Sequence, residues 1–284
     1  MIDRIDLLKI KPENYKCENM GEIDDIINPF TELNSVDKTL INGLVLLYQP
    51  RKIVEIGISA GGSSIIILNA MKDITDAKLY SVDINANWYR NAEKNSGWAV
   101  NEYFPHLTDK WNLHIGVDYC EVAHEIGYGI DMLFIDSAHR HPIETINFLC
   151  AFPYLKENAV VIVHDTVLYA SKLGFLNNCY ASKYLTLSVT ADKYEPYIDH
   201  APFVSNITAF QINPHTTQYI NNVFESLTLP WYGEISDELL NKYREFINRH
   251  YTKHLSCIFD KSMKFNALFE NELNDIFKKG YVEN

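Results

Sequence analysis

Five short apolar runs, which alternate with stretches of helical pattern, restrict the fold of this chain more than any other feature. The runs are KIVEIG at 52–57, KLYSVDI at 78–84, WNLHIG at 111–116, DMLFIDS at 131–137 and AVVIVHD at 159–165. Strands that are apolar on both faces and separated by helices are typical of a parallel sheet covered on both sides. The sequence therefore predicts a doubly wound α/β fold with a mostly parallel sheet and helices on both faces.

Helical patterns fill the intervals between these runs and continue after them. We expect helices at 36–48, 63–72, 88–94, 119–125 and 142–152. One more strand is expected at 207–212 and a mostly helical segment at 216–280. The predicted organisation is a helical lead-in at 1–50, a main domain at 51–213 and a helical C-terminal extension at 214–284. The extension is expected to cap the site, to form an oligomer interface, or both.

Polar residues follow the predicted strands at their carboxyl ends. They are the glycine segment at 57–61, Asp83, Asp118, the segment 136–141 and the pair His164 and Asp165. Open parallel sheets bind their ligands along this edge. The functional site is therefore predicted there.

The loop after the first strand reads VEIGISAGGSSI at 54–65. A tight turn from strand to helix needs glycine where φ is positive, and the helix that follows offers free N–H groups. The spacing is neither G-x-G-x-x-G nor a P-loop, and no lysine follows the glycines, so triphosphate binding is disfavoured. Asp83 could accept hydrogen bonds from both hydroxyls of a ribose. Taken alone, the loop could be an ordinary tight turn and Asp83 a turn residue or helix cap; together they indicate a nucleoside-containing ligand.

Two Asp/His pairs end the fourth and fifth predicted strands, in FIDSAHRHP and VIVHDT. Adjacent parallel strands lie about 4.8 Å apart, so Asp136 and Asp165 can converge, with His139 and His164 near them. Two carboxylates suit Mg²⁺, and added histidines would allow Mn, Fe or Zn. The alternative is structural, with Asp136 as a helix cap and His164 as a hydrogen-bonded residue at the rim.

The first three segments resemble the motifs of the class I S-adenosylmethionine-dependent methyltransferases, which have a Rossmann-like fold. VEIGISAGGSS is similar to their E-x-G-x-x-x-G-x-S motif, YSVDI to the second motif, and HIGVDYCEV to the segment after the third strand. The resemblance covers about residues 36 to 170. It implies S-adenosylmethionine as cofactor, with Asp83 at the ribose, Asp118 beside the adenine and Glu55 near the methionyl end. The remaining cofactor-binding residues that it implies are Gly57, Ser59, Gly61 and Ser63.

The two Asp/His pairs resemble a narrower branch, the metal-dependent O-methyltransferases of the catechol and caffeoyl-CoA type and a related bacterial group acting on sugars and natural products. IDSAHRHP and VHDT are similar to the D-x-x-H and H-D patterns of that group. The resemblance implies a divalent cation such as Mg²⁺ on Asp136 and Asp165, joined by His164, with His139 as general base. Thr166 stands where the catechol type has a metal-binding asparagine.

Composition narrows the choice of partners. A net charge of −12 argues against nucleic-acid backbones, which need clustered Lys and Arg. The chain contains no apolar run of about 18 residues, and its five cysteines are scattered, so we expect no membrane span and reduced thiols in a cytoplasmic protein. A small hydroxylated substrate and a homo-oligomer are expected. Two alternatives stay open: a metal-dependent hydrolase or hydroxylase, and a non-catalytic nucleoside-binding module.

Overall fold

The computed structural model describes residues 11–176, 178–196 and 205–280. Its main sheet has seven strands in the order β5-β2-β1-β6-β7-β9-β8, and β3 and β4 form a separate hairpin. The strands are β1 Lys52–Ile56, β2 Lys78–Asp83, β3 Asn87–Trp88, β4 Asn91–Asn95, β5 Trp111–Ile115, β6 Ile130–Ile135, β7 Leu155–His164, β8 Lys193–Tyr194 and β9 Ile207–Gln211. The five strands from β5 to β7 run parallel, whereas β9 is antiparallel to β7 and β8 to β9. The predicted fold class is confirmed.

Helices cover both faces of the sheet and make up most of the C-terminal region. They are α1 Met20–Ile27, α2 Ser35–Tyr48, α3 Gly62–Ala70, α4 Trp98–Tyr103, α5 Tyr119–Ile126, α6 Ile143–Ala151, α7 Ala181–Ser188, α8 Pro214–Gln218, α9 Ile220–Ser226, α10 Asp237–His250 and α11 Lys253–Gly280.

Capping boxes begin two of the helices on which the site depends. Asn34 and Asp37 cap α2, and Asp118 and Glu121 cap α5, so the orphan N–H groups of these first turns are satisfied.

The sheet separates two apolar cores. In β7, Val160 and Ile162 face the core that contains α2 and α3, whereas Val161 and Val163 face the core that contains α5, α6 and α10. This alternation follows from the period of two of a strand, and burial on both sides explains why the strands read as continuous apolar runs. Helix α2 belongs to the first core, so the lead-in packs directly on the sheet.

The predicted helix at 88–94 is wrong. Residues 87–95 form the antiparallel hairpin of β3 and β4, and the next helix starts at Trp98, after Gly97 with a φ of +76°. The asparagines in this segment explain why a hairpin forms instead of a helix. An asparagine side chain can hydrogen-bond nearby backbone groups, which favours turns over helices. Asn91 shows this directly, since its Oδ1 accepts the backbone N–H of Glu93 over 3.0 Å.

In the part of the chain that the structure describes, no helix combines the length and the apolar character needed to cross a membrane.

Candidate functional site

The glycine loop passes against the end of the neighbouring strand. Gly57 has a φ of +92°, and a Cβ built on it would lie 1.8 Å from the backbone carbonyl oxygen of Asp136. Only glycine fits this approach without moving β1 away from β6. Gly61, with a φ of +102°, forms the N-cap of α3, and a Cβ there would come within 3.0 Å of Val100. The loop therefore has no room for side chains at either turn.

Asp83, at the end of β2, clamps the same loop from the other side. Its Oδ2 accepts the backbone N–H groups of Ile58 and Ser59 over 3.0 and 3.2 Å, and its Oδ1 accepts that of Asn85 over 2.8 Å. A carboxylate offers about four lone-pair positions, so these three bonds leave capacity for one more donor. Asp83 thus fixes the loop, and its contact with a ribose hydroxyl stays a prediction.

Glu55 lies beneath the loop and is fully buried. Three serine hydroxyls donate to it, from Ser63, Ser64 and Ser81, and the indole N–H of Trp111 donates to Ser81 over 2.9 Å. Burial raises the pKa of Glu55 to about 7, although the three hydroxyl hydrogen bonds act to lower it. The Ser63 hydroxyl is therefore already hydrogen-bonded to Glu55. This pair could influence a cofactor only through the loop above it.

Asp118 has a structural role that the sequence analysis did not foresee. It caps α5, where its Oδ1 accepts the backbone N–H of Cys120, and its Oδ2 accepts the hydroxyl of Tyr243 over 2.6 Å. Burial raises the pKa of Asp118, against the lowering effect of the Tyr243 hydrogen bond. Its place beside an adenine stays a prediction.

Ile84 offers an apolar surface at this edge that the sequence analysis missed. It follows Asp83 directly and is 55% exposed, which is unusual for a residue so close to a buried strand. On the adjacent strand end, the backbone N–H of Val117 donates to the carbonyl of Asp83 over 3.4 Å. The sequence does contain a feature that could have predicted this exposed surface: Ile84 lies between the acidic end of a strand and the polar segment that begins at Asn85.

Asp136, His139 and Asp165 form the acidic centre of the site. One potential ligand atom from each lies within 4.8 Å of the others, and all three side chains are partly exposed. His139 Nδ1 lies 3.4 Å from Asp165 Oδ2 and 3.9 Å from Asp136 Oδ1. The register of β6 and β7, which pairs Ile135 with Val163, brings these strand ends together as predicted.

Three of the six described non-glycine residues with a positive φ lie at this centre and at the glycine loop. Ser59, His139 and Asp165 all have φ between 54° and 62°, a region that non-glycine residues enter at a cost of roughly 1–3 kcal/mol. Their surroundings hold two of them in place. The backbone N–H of His139 donates to the buried Glu144, and the side-chain amide of Asn206 donates to Asp165 Oδ1 over 2.7 Å. The sequence analysis missed both partners.

His164 stands beside the acidic centre and is buried beneath it. It follows Val160 and Ile162 on the face of β7 that packs towards α2. Its Nε2 hydrogen-bonds Asp37 Oδ2 over 3.1 Å, and its Nδ1 lies 3.2 Å from Asp136 Oδ1. The predicted ligand set of Asp136, Asp165 and His164 thus differs from the group that the structure brings together, in which His139 takes the third place.

The ionisation of His164 follows from these neighbours. Burial alone would lower its pKa, but the carboxylates of Asp136 and Asp165, together with its hydrogen bonds, raise the pKa well above the usual value. The pKa of Asp136 moves the other way: burial acts to raise it, but the charges of His164 and His139 and the contact with His164 together lower it. Both shifts favour a charged His164 beside an ionised Asp136.

Thr166 takes no part in the centre. Its hydroxyl donates to the backbone carbonyl of Ser205 over 3.1 Å, and its side chain is buried. The side chain that approaches Asp165 instead is the amide of Asn206, which the antiparallel strand β9 brings alongside the end of β7.

Comparisons with known proteins agree with the fold. Residues 54–166 match a family model described as a methyltransferase domain. No curated protein matches the chain.

Three solved structures illustrate the likeness in fold. An O-methyltransferase of tomaymycin synthesis from Streptomyces achromogenes, in complex with S-adenosylmethionine, is 18% identical, with a TM-score of 0.50 over 70% of this chain and 91% of its own. A putative caffeoyl-CoA O-methyltransferase from Staphylococcus aureus is 16% identical, with a TM-score of 0.50 over 73% and 97%. A methyltransferase from Podospora anserina, bound to S-adenosylhomocysteine, is 13% identical, with a TM-score of 0.52 over 73% and 94%.

Glu55→Gln should change how stability depends on pH. A carboxyl whose pKa rises from 4.5 to about 7 on folding stabilises the folded state below about pH 4.5, and this contribution is lost as pH rises through about 7. The shift corresponds to at most on the order of 3 kcal/mol, because one pKa unit is about 1.4 kcal/mol. Relative to the wild type, the variant should gain stability in urea unfolding between pH 5 and pH 9.

The matched control is Glu157→Gln, which removes an exposed carboxyl. It should leave the pH dependence of the unfolding free energy unchanged. Parallel pH profiles for the wild type and Glu55→Gln would contradict the assignment of a raised pKa to Glu55.

Proposed function

We propose that this chain, whose residues 54–166 match a methyltransferase domain, is a class I S-adenosylmethionine-dependent methyltransferase that transfers the methyl group to a hydroxyl of a small molecule. One observation carries this proposal: Gly57 of the cofactor loop touches the backbone of Asp136 in the acidic centre. A methyl donor on the loop would then lie next to groups that can bind and activate a hydroxyl. Such proximity and alignment supply much of the rate enhancement in a group transfer.

The cofactor would lie along the edge formed by β1, β2 and β5. The methionyl part would lie over the loop at 57–61, and Asp83 has one acceptor position left for a ribose hydroxyl. Ile84 offers an exposed apolar face on which an adenine ring can pack. Glu55 supports the loop from below.

A divalent cation fits the acidic centre. Asp136 and Asp165 would hold it, and their oxygens together with an imidazole nitrogen suit Mg²⁺, Mn²⁺ or a softer metal. When bound, the cation would supply charge stabilisation for a developing alkoxide or phenolate. His164 sits against both carboxylates from the buried side, with its Nδ1 3.2 Å from Asp136 Oδ1 and 3.5 Å from Asp165 Oδ1, and would fix their orientation.

His139 is our proposed general base. Its Nδ1 lies 3.4 Å from Asp165 Oδ2, which leaves Nε2 to take the proton of the acceptor hydroxyl. Loss of that proton turns a poor nucleophile into a good one, and the sulfonium methyl carbon is already electrophilic. The competing assignment makes His139 the third metal ligand, as its position in the cluster allows.

Aromatic residues near the centre support a sugar or natural product as the acceptor. The rings of Tyr169 and Tyr180 stack with centroids 4.9 Å apart, and both side chains are partly exposed. The backbone N–H of Ala181, next to Tyr180, donates to the carbonyl of His139 over 3.4 Å, so this segment is attached to the centre. Tyrosine faces bind both aromatic rings and the apolar faces of sugars. A protein that shares the fold is an O-methyltransferase involved in tomaymycin synthesis.

The proposed function is tested by methyl transfer from S-adenosylmethionine labelled in its methyl group to a panel of sugars, catechols and other phenols. The panel is run with Mg²⁺, with Mn²⁺ and with a chelator. Label should appear on one acceptor class and fall when the metal is removed. A metal-dependent activity that ignores S-adenosylmethionine would instead indicate a hydrolase or hydroxylase, and binding without turnover would indicate a nucleoside-binding module.

Ile84→Ala should weaken binding of S-adenosylmethionine roughly tenfold. Its three lost carbon atoms remove about 1–2 kcal/mol of apolar contact with the adenine. Isothermal titration calorimetry measures the dissociation constant. Tyr128→Ala is the matched control, since Tyr128 is 70% exposed but precedes β6 at the opposite edge of the sheet. Equal affinities for Ile84→Ala and the wild type would place the adenine elsewhere.

His139→Ala separates the two assignments of this histidine. If His139 is the base, kcat should fall by about 100-fold or more, while affinity for Mn²⁺ and for S-adenosylmethionine is kept. If His139 is a metal ligand, Mn²⁺ affinity should fall together with kcat. His106→Ala, which changes an exposed histidine, should alter neither quantity. Wild-type turnover in His139→Ala would exclude both assignments.

A further inference from the structure

Asp37 connects the N-terminal lead-in to the acidic centre. It lies in the first turn of α2, outside the matched methyltransferase domain at 54–166, and its side chain is only 1% exposed. Its Oδ2 accepts two hydrogen bonds, from the Nε2 of His164 over 3.1 Å and from the backbone N–H of Asn34 over 3.0 Å. A buried carboxylate is thus directed at a buried histidine 127 positions along the chain.

The ring of His164 is enclosed between carboxylates on both sides. Nε2 faces Asp37, whereas Nδ1 faces Asp136 Oδ1 at 3.2 Å, and the side chain is 2% exposed. The Nε2 contact is a hydrogen bond, whereas Nδ1 lies within ion-pair distance of Asp136 without the geometry of a hydrogen bond. The contact with Asp37 therefore fixes the rotation of the ring, and the ring fixes Asp136.

We propose that Asp37 is a positioning residue for the acidic centre, acting on Asp136 through His164. This proposal rests on the proposed function in assigning the centre to methyl transfer. Without the carboxylate, the Nε2–H of His164 would lose its buried partner, and the ring would turn or shift to recover a hydrogen bond. Either movement takes the ring away from Asp136. Asp37 is also part of the N-terminal cap of α2, so its role at the centre has to be separated from its role in the helix.

Three variants make that separation. Asp37→Ala removes both contacts of the carboxylate. Asp37→Asn keeps an oxygen that can accept from both donors but removes the charge. Asn34→Ala removes the acceptor of the Val36 and Asp37 N–H groups, which caps the same helix without touching His164. Loss of such a cap costs typically about 1 kcal/mol of stability.

Steady-state kinetics with the acceptor found in the labelling assay should distinguish the variants. At a temperature where all are folded, Asp37→Ala should lower kcat at least tenfold, with the S-adenosylmethionine dissociation constant and the acceptor KM within about twofold of the wild type. Asp37→Asn should recover a large part of the lost kcat. Asn34→Ala should unfold at lower urea concentration but keep wild-type kcat. Equal kcat values for Asp37→Ala and Asn34→Ala would overturn the proposal.

A second measurement needs neither cofactor nor turnover. In protein labelled with ¹³C at aspartate carboxyls, the Asp136 signal, assigned by its loss in Asp136→Asn, should shift in Asp37→Ala and stay in place in Asn34→Ala. An unmoved Asp136 signal in Asp37→Ala would overturn the proposal. Because this readout is independent of methyl transfer, a chain that transfers no methyl group would refute the proposed function while the role of Asp37 is still decided.

Discussion

The approach of Gly57 to the backbone of Asp136 is the constraint on which the rest of the site depends. Two parallel strands end side by side, and the chain leaving β1 has to cross the end of β6 with no space for a Cβ. This crossing puts the glycine loop and the acidic centre in contact. Asp83 then fixes the loop through backbone N–H groups on its other side. Contacts to its main-chain atoms therefore hold the loop at both edges.

The site is also distinguished by how many carboxyl groups it buries. Asp37, Glu55 and Glu144 lie in the interior, and each has its own donors: a histidine ring, serine hydroxyls and a backbone N–H, respectively. A buried carboxylate without such donors would cost several kcal/mol. Asp37 and Glu144 contact the partly exposed centre from its buried side, through His164 and His139. Glu144 stabilises the strained backbone conformation of His139, because its side chain accepts a hydrogen bond from the His139 backbone N–H.

Most of the fold could be predicted from local sequence because its cause is local. Strands buried on two faces need continuous apolar runs, and the five parallel strands appeared at the predicted places. The convergence of Asp136 and Asp165 followed from strand order alone. The hairpin at 87–95 was missed because two opposing influences, helical spacing of apolar residues and the turn preference of asparagine, had to be weighed without knowledge of their packing. The face of the sheet on which His164 lies could have been predicted, because side chains alternate along β7 and residues 160, 162 and 164 share one face.

The partners that complete the centre could not be predicted, since they come from distant parts of the chain. Asn206 reaches Asp165 across an antiparallel strand pair, and Asp37 reaches His164 from a helix that precedes the first strand. Neither belongs to a recognisable motif. The glycine loop and the residues next to it lie within a short segment of sequence, whereas packing brings the residues that contact the acidic centre from distant segments. A chain can therefore keep the cofactor motifs and still differ from its relatives at the centre, because the two are encoded at different sequence ranges.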